Sequence, residues 1–547
     1  MPLKKMLISF LAVFLLSVFP SLFVQAAEGK KAMAVTPDPR ATQAALEILE
    51  EGGNAVDAAV AAQWVLSVVM PQATGLGGSG LFLFYDIGTR RILFFDGSAA
   101  APAKSSADLF FDKNGGLLPY APDRNTGGAS VGVPGLLKLA EEVHAKYGTR
   151  KFPFAKLFEK AIREAEDGTE INKPLAEALK KNEQRIALTG PFPAVFSEEE
   201  GVIVQHGLAK AFRLIQAKGT DVFYKGTIAK AIEKAVRKDA YRPASLTGRA
   251  LGSYSVKTRD PVHTTYQGYD LFSAGPPASG GMMLFRALHV LSRFGMSGFG
   301  QAPEMYHLLG ETQKAALFNR SAVADPDFFD VPFEEVLSEA WAENHAASIK
   351  FDRVSKEGEV PKETPEESPG RDGVSVMVVD PQGNIAAISS TLGDAFGSGL
   401  FVAEYGFFLN NLLAGFSEGR ISAGERPPGR EAPTLVFKEG RPAVLLDAYG
   451  PSDPAALLLN ILVQKIDSGA SCAAAIESPR LLTRGRTLFL ESGLYHQETT
   501  RLKLELLGHA LEKKDPIGFA QMVCFDEGSD RIVGESDPRG GGEAAGF

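Results

Sequence analysis

Apolar residues recur along this chain at two periods, and the order in which those periods follow one another restricts the fold more than any other feature. Residues 41–51 repeat at helical spacing with a charged outer face and stop at Gly52-Gly53. Asn54 is placed to cap a second helix, with Asp57 three positions on; Val56, Ala59, Val60, Trp64 and Val68 follow at helical spacing as far as Pro71. Small residues from Gly75 to Gly80 lead into two strand patterns, 81–85 and 91–95, around a turn at Asp86 to Gly88. From about Val143 to Phe351 helical patterns prevail, as at 154–166, 227–236 and 282–294. Residues 352–372 are rich in Glu, Lys, Pro and Gly and poor in apolar side chains, which predicts a flexible, solvated linker. Beyond it strand patterns come in runs, at 374–380, 384–391, 406–411, 434–438 and 443–446, and helices return at 455–466 and 500–507. Strands in runs with helices at either end predict stacked α and β layers, an α/β protein without a strictly alternating parallel sheet.

The N-terminus carries an address. Lys4 and Lys5 precede a mostly apolar stretch, 6–19, too short to cross a bilayer comfortably, and Val24-Gln25-Ala26 offers small residues at cleavage spacing. Residues 1–26 therefore read as a secretory signal peptide, and the mature chain is expected in the periplasm or outside the cell. Export permits disulfides; the two cysteines, Cys472 and Cys524, either pair or remain buried thiols. The net charge of −9 argues against a nucleic-acid partner, which needs a basic patch.

Local motifs mostly exclude chemistry. The loop Gly75-Leu76-Gly77-Gly78-Ser79-Gly80 leaves a helix and enters a strand, the reverse of a dinucleotide fingerprint, so close backbone approach explains its glycines better than phosphate binding. The eight histidines show no metal-ligand spacing, and neither a metal nor a cofactor is expected. No GxSxG elbow anchors a serine triad. Asp325 and Asp327 flank Pro326 and read as turn chemistry.

Ordered matches along the chain carry more. Residues 41–45 and 52–59, then Pro71-Gln72, Gly75 to Gly80, Ala101-Pro102-Ala103, Gly132-Val133-Pro134-Gly135 and 276–281 resemble the γ-glutamyltransferases, or glutathione hydrolases. So do 325–328, 396–399, 409–411 and Glu535-Ser536-Asp537-Pro538-Arg539. The resemblance implies an αββα sandwich of the N-terminal-nucleophile hydrolase type. It also implies export, and self-cleavage of one precursor into a large and a small subunit. Here residues 27–351 would correspond to the large subunit and 373–547 to the small one. The new N-terminal Thr is the family's nucleophile: its free α-amine supplies the general base that a mid-chain hydroxyl lacks.

The family's functional positions, taken singly, are largely replaced. The nucleophile belongs seven residues before the Asp that ends the first small-subunit strand, here Asp380, and that position is Gly373. The next two positions are Val374 and Ser375. The Thr that bonds the nucleophile is kept as Thr391, while the Asn two residues on is Gly393. The Asp that binds the substrate amine has become Gly415, and the Ser-Ser pair at the substrate carboxylate has become Gly429-Arg430. The Arg that pairs with that carboxylate has become Ser98. The oxyanion Gly-Gly reads Gly450-Pro451, and proline has no N–H to donate; loss of one such donor costs about 10²–10³ in rate.

The resemblance thus leads to an exported family protein that is catalytically impaired and not self-processed, with a γ-glutamyl or other carboxylate compound as its small ligand. The alternative is an active amidase or acyltransferase of altered substrate, with Ser375 as nucleophile. Ser375 lies two positions from Gly373 on the same strand face, roughly 6.6 Å along it.

Overall fold

The computed structural model describes residues 27–547 except 104, 106–107, 192, 197–200, 318–322, 357–358, 360–371, 417–420, 451–452, 527–528 and 530. The expected signal peptide and most of the expected linker lie outside the described residues, as does Pro451.

Two seven-stranded antiparallel sheets face each other. The first runs, in spatial order, Ala27–Gly29, Ile532–Ser536, Phe519–Phe525, Arg441–Tyr449, Thr434–Lys438, Tyr269–Ser273 and Val262–Tyr266. The second runs Glu543–Gly546, Met33–Thr36, Asp372–Val379, Ile385–Gly393, Ser79–Asp86, Arg91–Gly97 and Lys257–Arg259. Each sheet is woven from segments on both sides of residues 352–372. The two chain ends meet in the second, where Met33 pairs with Gly546 and Thr36 with Glu543.

Alternation along the strands sorts the core into layers. Met377, Val379, Leu81, Leu83, Leu435, Leu445 and Val523 fill the space between the sheets. The opposite faces carry helices: Ala55–Val69 and its neighbours on the second sheet, Gly280–Leu291 and Pro454–Leu462 on the first. The result is the expected αββα sandwich.

The Ala55–Val69 helix shows why the sequence folds this way. Its residues are buried all round, consistent with small or apolar side chains on every face. Trp64 stacks on Phe158 with ring centroids 4.9 Å apart. Asn54 accepts hydrogen bonds from the Val56 and Asp57 N–H groups, and the Asp57 carboxylate accepts one from the Asn54 N–H at 3.1 Å, closing a capping box. Asn54→Ala should cost about 1 kcal/mol, read as a lower urea midpoint at unchanged m-value.

Three elements differ from expectation. The largely helical middle also contains the edge strands Lys257–Arg259 and Val262–Tyr266 and, inside the latter, the strand Tyr269–Ser273. The last two turn at Gln267-Gly268, both at positive φ, a turn that this sequence signals only weakly. The strand expected at 406–411 shrinks to Phe407–Phe408, paired with Phe401–Val402. Asp372, assigned to the linker, opens the Asp372–Val379 strand. Of the two states open to the cysteines, the structure has the disulfide, Cys472–Cys524, which joins the Cys472–Glu477 helix to the Phe519–Phe525 strand. No helix among the described residues is long and apolar enough to cross a membrane.

Candidate functional site

Asp380 fixes the frame of the site. Its carboxylate accepts the Ala55 N–H at 3.0 Å, the Asn384 N–H at 2.9 Å and the Asn384 side-chain amide at 2.7 Å. It thereby pins the 372–393 hairpin to the start of the central helix. At the other end of the hairpin the register slips: Asp372 faces Gly393 and Val374 faces Ser390, so Gly373 lies opposite a bulge. The Thr391 hydroxyl donates to the Asp372 carbonyl oxygen and accepts the Gly393 N–H at 2.8 Å. A Cβ added to Gly373 would lie 3.6 Å from Thr391 Cβ and 3.0 Å from the Ser390 carbonyl oxygen. A side chain at 373 would thus stand beside Thr391.

A cavity of about 30 Å³ opens at this point. It is lined by Gly373, Ser389, Thr391, Arg430, Glu431 and Gly450, among others. That space suits one or two water molecules. Of the positions singled out in the sequence, the structure brings Gly373, Val374, Thr391, Arg430 and Gly450 together here.

The other positions lie elsewhere. The Ser98 N–H donates to Asp96 at 2.9 Å, and its carbonyl oxygen accepts the Tyr254 hydroxyl at 2.7 Å. Gly415 ends the short turn Leu412–Gly415. The Gly429 carbonyl oxygen accepts the Ser279 N–H at 2.9 Å, and a Cβ there would meet a Glu431 carboxylate oxygen at 2.4 Å. Gly393 has φ +100°, and a Cβ there would fall 1.9 Å from Asn411 Oδ1. Asn411 is itself held by bonds to the Asn125 carbonyl oxygen and Asp394, both 3.0 Å. No side chain fits at 393 with this backbone and this neighbour.

Ser375, the alternative nucleophile, keeps the strand face of Gly373 but does not reach the cavity. It is fully buried and absent from the cavity lining. Strand alternation places it between the sheets with Met377 and Val379. The serine and threonine hydroxyls that line the cavity are committed: Ser389 to Asp447, Ser390 to Gln63 at 2.8 Å and Thr74 at 2.7 Å, and Thr391 to Asp372. No histidine lines it.

Two carboxyls beside the site were missed from sequence. Asp447 is fully buried between the sheets. Burial pushes its carboxyl up to about 7, against the opposing pull of the Ser389 hydroxyl and the Ala448 N–H. Ser375 lies by the same carboxyl without closing a hydrogen bond of good geometry. The signal available was one acid in an apolar strand, Leu445-Leu446-Asp447. Asp372 lines the cavity and is raised to about 6 by burial, then by the nearby Asp394 carboxylate.

The structure also gathers His307, Glu311 and His509, whose possible ligand atoms lie within 4.8 Å of one another. Sequence spacing hid them because His509 is far along the chain. His307 Nε2 meets the Lys350 carbonyl oxygen at 2.7 Å and so donates; Nδ1 then accepts from His509 Nε2 at 2.8 Å. Glu311 takes the Lys314 ammonium at 2.6 Å and the Ser355 N–H at 2.7 Å. Burial, then Lys314, holds His509 well below the usual imidazole range. The cluster carries its own cation, and a divalent ion would add uncompensated buried charge.

Comparison with known proteins places this geometry. The family model described as gamma-glutamyltranspeptidase matches residues 41–547. The glutathione hydrolase proenzyme of Bacillus subtilis (strain 168) is 31% identical, over 95% of this chain and 92% of that one. The acylase ACY 1 proenzyme of Pseudomonas sp. (strain SE83) is 31% identical, over 91% of each chain. Among solved structures, the cephalosporin acylase from Bacillus halodurans superposes with a TM-score of 0.85 at 24% identity, covering 95% of this chain and 97% of that one, which speaks for the fold.

Proposed function

The chain belongs to the gamma-glutamyltranspeptidase family, and from that premise we propose that it is an exported member that neither cleaves itself nor transfers γ-glutamyl groups, and that acts by binding. One observation carries the reading: a glycine stands at the nucleophile position, in a cavity of about 30 Å³. The replacements support the same conclusion, because Ser98 and Gly415 lack the charges, and Gly393 and Gly429 the neutral hydrogen-bonding groups, that would hold a γ-glutamyl group. Pro451 supports it through the lost oxyanion donor. Export rests on the leader pattern of residues 1–26.

The alternative of an active enzyme built on Ser375 is disfavoured by that residue's burial outside the cavity. The deciding experiment is a denaturing gel of the purified mature protein. One band is expected. Two bands with a new N-terminus near residue 373 would overturn the proposal.

A further inference from the structure

A second cavity, of about 350 Å³, lies elsewhere and shares no lining residue with the first. It falls at the small end of the roughly 300–1,000 Å³ typical of ligand pockets. Its floor is made of small apolar side chains, with Ala100, Ala101 and Ala250 all buried. Two aromatic residues, Tyr254 and Phe328, line it, and Phe328 keeps 41% of its surface exposed. Such a lining takes an apolar body of modest size.

The polar groups set the sign of the ligand. Arg426 is fixed in place: its guanidinium pairs with the buried Asp96 carboxylate and donates at 2.7 Å to the Asp96 and Ser255 carbonyl oxygens. It lies 5.7 Å from the centre of the Tyr254 ring. The Tyr254 hydroxyl spends its proton on the Ser98 carbonyl oxygen. Lys257 is the group with freedom. Its side chain is 45% exposed, and its ammonium meets Asp327 at 2.8 Å. Asp327, which lines the cavity too, keeps a second partner without it, because Arg259, shared with Asp96 and Asp325, pairs with Asp327 at 3.1 Å. Lys257 can therefore turn to a bound anion without stranding a carboxylate, and its ammonium has donors to spare.

The geometry points to a binding site for a small amphipathic carboxylate. The carboxylate would pair with Lys257, and an aromatic or branched aliphatic body would lie on the alanine floor beside Tyr254 and Phe328. This goes beyond the reading of the chain as a non-transferring protein and is tested apart from it, since binding here and turnover there are separate measurements.

The test is calorimetric titration of the full mature chain with 3-phenylpropionate and, in parallel, with its neutral amide. The carboxylate should bind at one site, at least about tenfold more tightly than the amide. Lys257→Glu, a change at an exposed position, should erase that preference and leave the affinity for the amide unchanged. Phe328→Ala should weaken both ligands. A thermal melt unchanged from wild type certifies each variant as folded. No binding of 3-phenylpropionate at about 10 mM, or a carboxylate preference that survives Lys257→Glu, would overturn the proposal.

Discussion

Threonine installed at position 373 should fail to restore γ-glutamyl transfer. The unaltered protein is expected to turn over a γ-glutamyl anilide on the order of 10⁶-fold more slowly than a relative that keeps its nucleophile, the scale set by loss of a catalytic hydroxyl elsewhere. Gly373→Thr returns the missing atoms to nearly the right place, since its Cβ would stand 3.6 Å from Thr391 Cβ. The new Cβ also crowds the Ser390 carbonyl oxygen at 3.0 Å, a strain of about 1 kcal/mol. The obstacle is the rest of the site. The family's charged partners for a γ-glutamyl group are gone at Ser98 and Gly415, and the backbone at Gly393 admits no side chain against Asn411. The assay is release of the anilide by purified wild type and Gly373→Thr, with a competent glutathione hydrolase beside them. Recovery to within about 100-fold of that enzyme would show that the hydroxyl alone was missing.

Asp447→Asn should stabilise the protein at pH 8 by on the order of 4 kcal/mol, and by progressively less toward pH 4. The sign follows from the raised carboxyl, about 7 when folded against about 3.9 when unfolded. Below pH 4 both states hold the proton and nothing changes. Between pH 4 and 7 the unfolded chain releases its proton while the folded chain keeps it, so stability falls as pH rises. Above pH 7 both are ionised and the loss is complete. Asparagine cannot ionise, and the Ser389 hydroxyl can turn to accept from its amide. Asp372 and Glu535 are also raised, to about 6 and about 7; they slope the wild-type curve the same way and cancel in the difference. Urea unfolding of both proteins at pH 5 and pH 8 should show the gap widening by roughly 3 kcal/mol. A constant gap would mean that Asp447 ionises like an ordinary aspartate.

Where local rules dominate, this chain is readable in advance. Asn54 and Asp57 announce the start of a helix, and Gly52-Gly53 the end of the one before it, because caps act over three or four residues. Gly373 was found by counting back from Asp380, and that count is structural: Asp380 pins the hairpin to the helix at Ala55. Groups that meet only through distant pairing were not readable. Asn411 closes the space at Gly393 across a loop. Ser389 reaches Asp447 across the gap between the sheets. His307 meets His509 through helix and strand packing. Alternation gives Ser375 its side of the sheet, but how far the cavity reaches along that side depends on the facing sheet, which brings Asp447 there. The hairpin at 262–273 escaped because its turn, Gln267-Gly268, lacks a strong signature.

The meeting of the two chain ends in one sheet has a consequence for the order of events in the cell. The strand Met33–Thr36 finds one neighbour in Asp372–Val379 and the other in Glu543–Gly546. Ala27–Gly29 waits likewise for Ile532–Ser536. Neither sheet can close until residues 532–546 have been made. Pairings this distant in sequence form slowly and leave apolar strand faces exposed meanwhile. Such a protein is expected to depend on holding factors while it waits, and to lose its fold when the strand Glu543–Gly546 is removed.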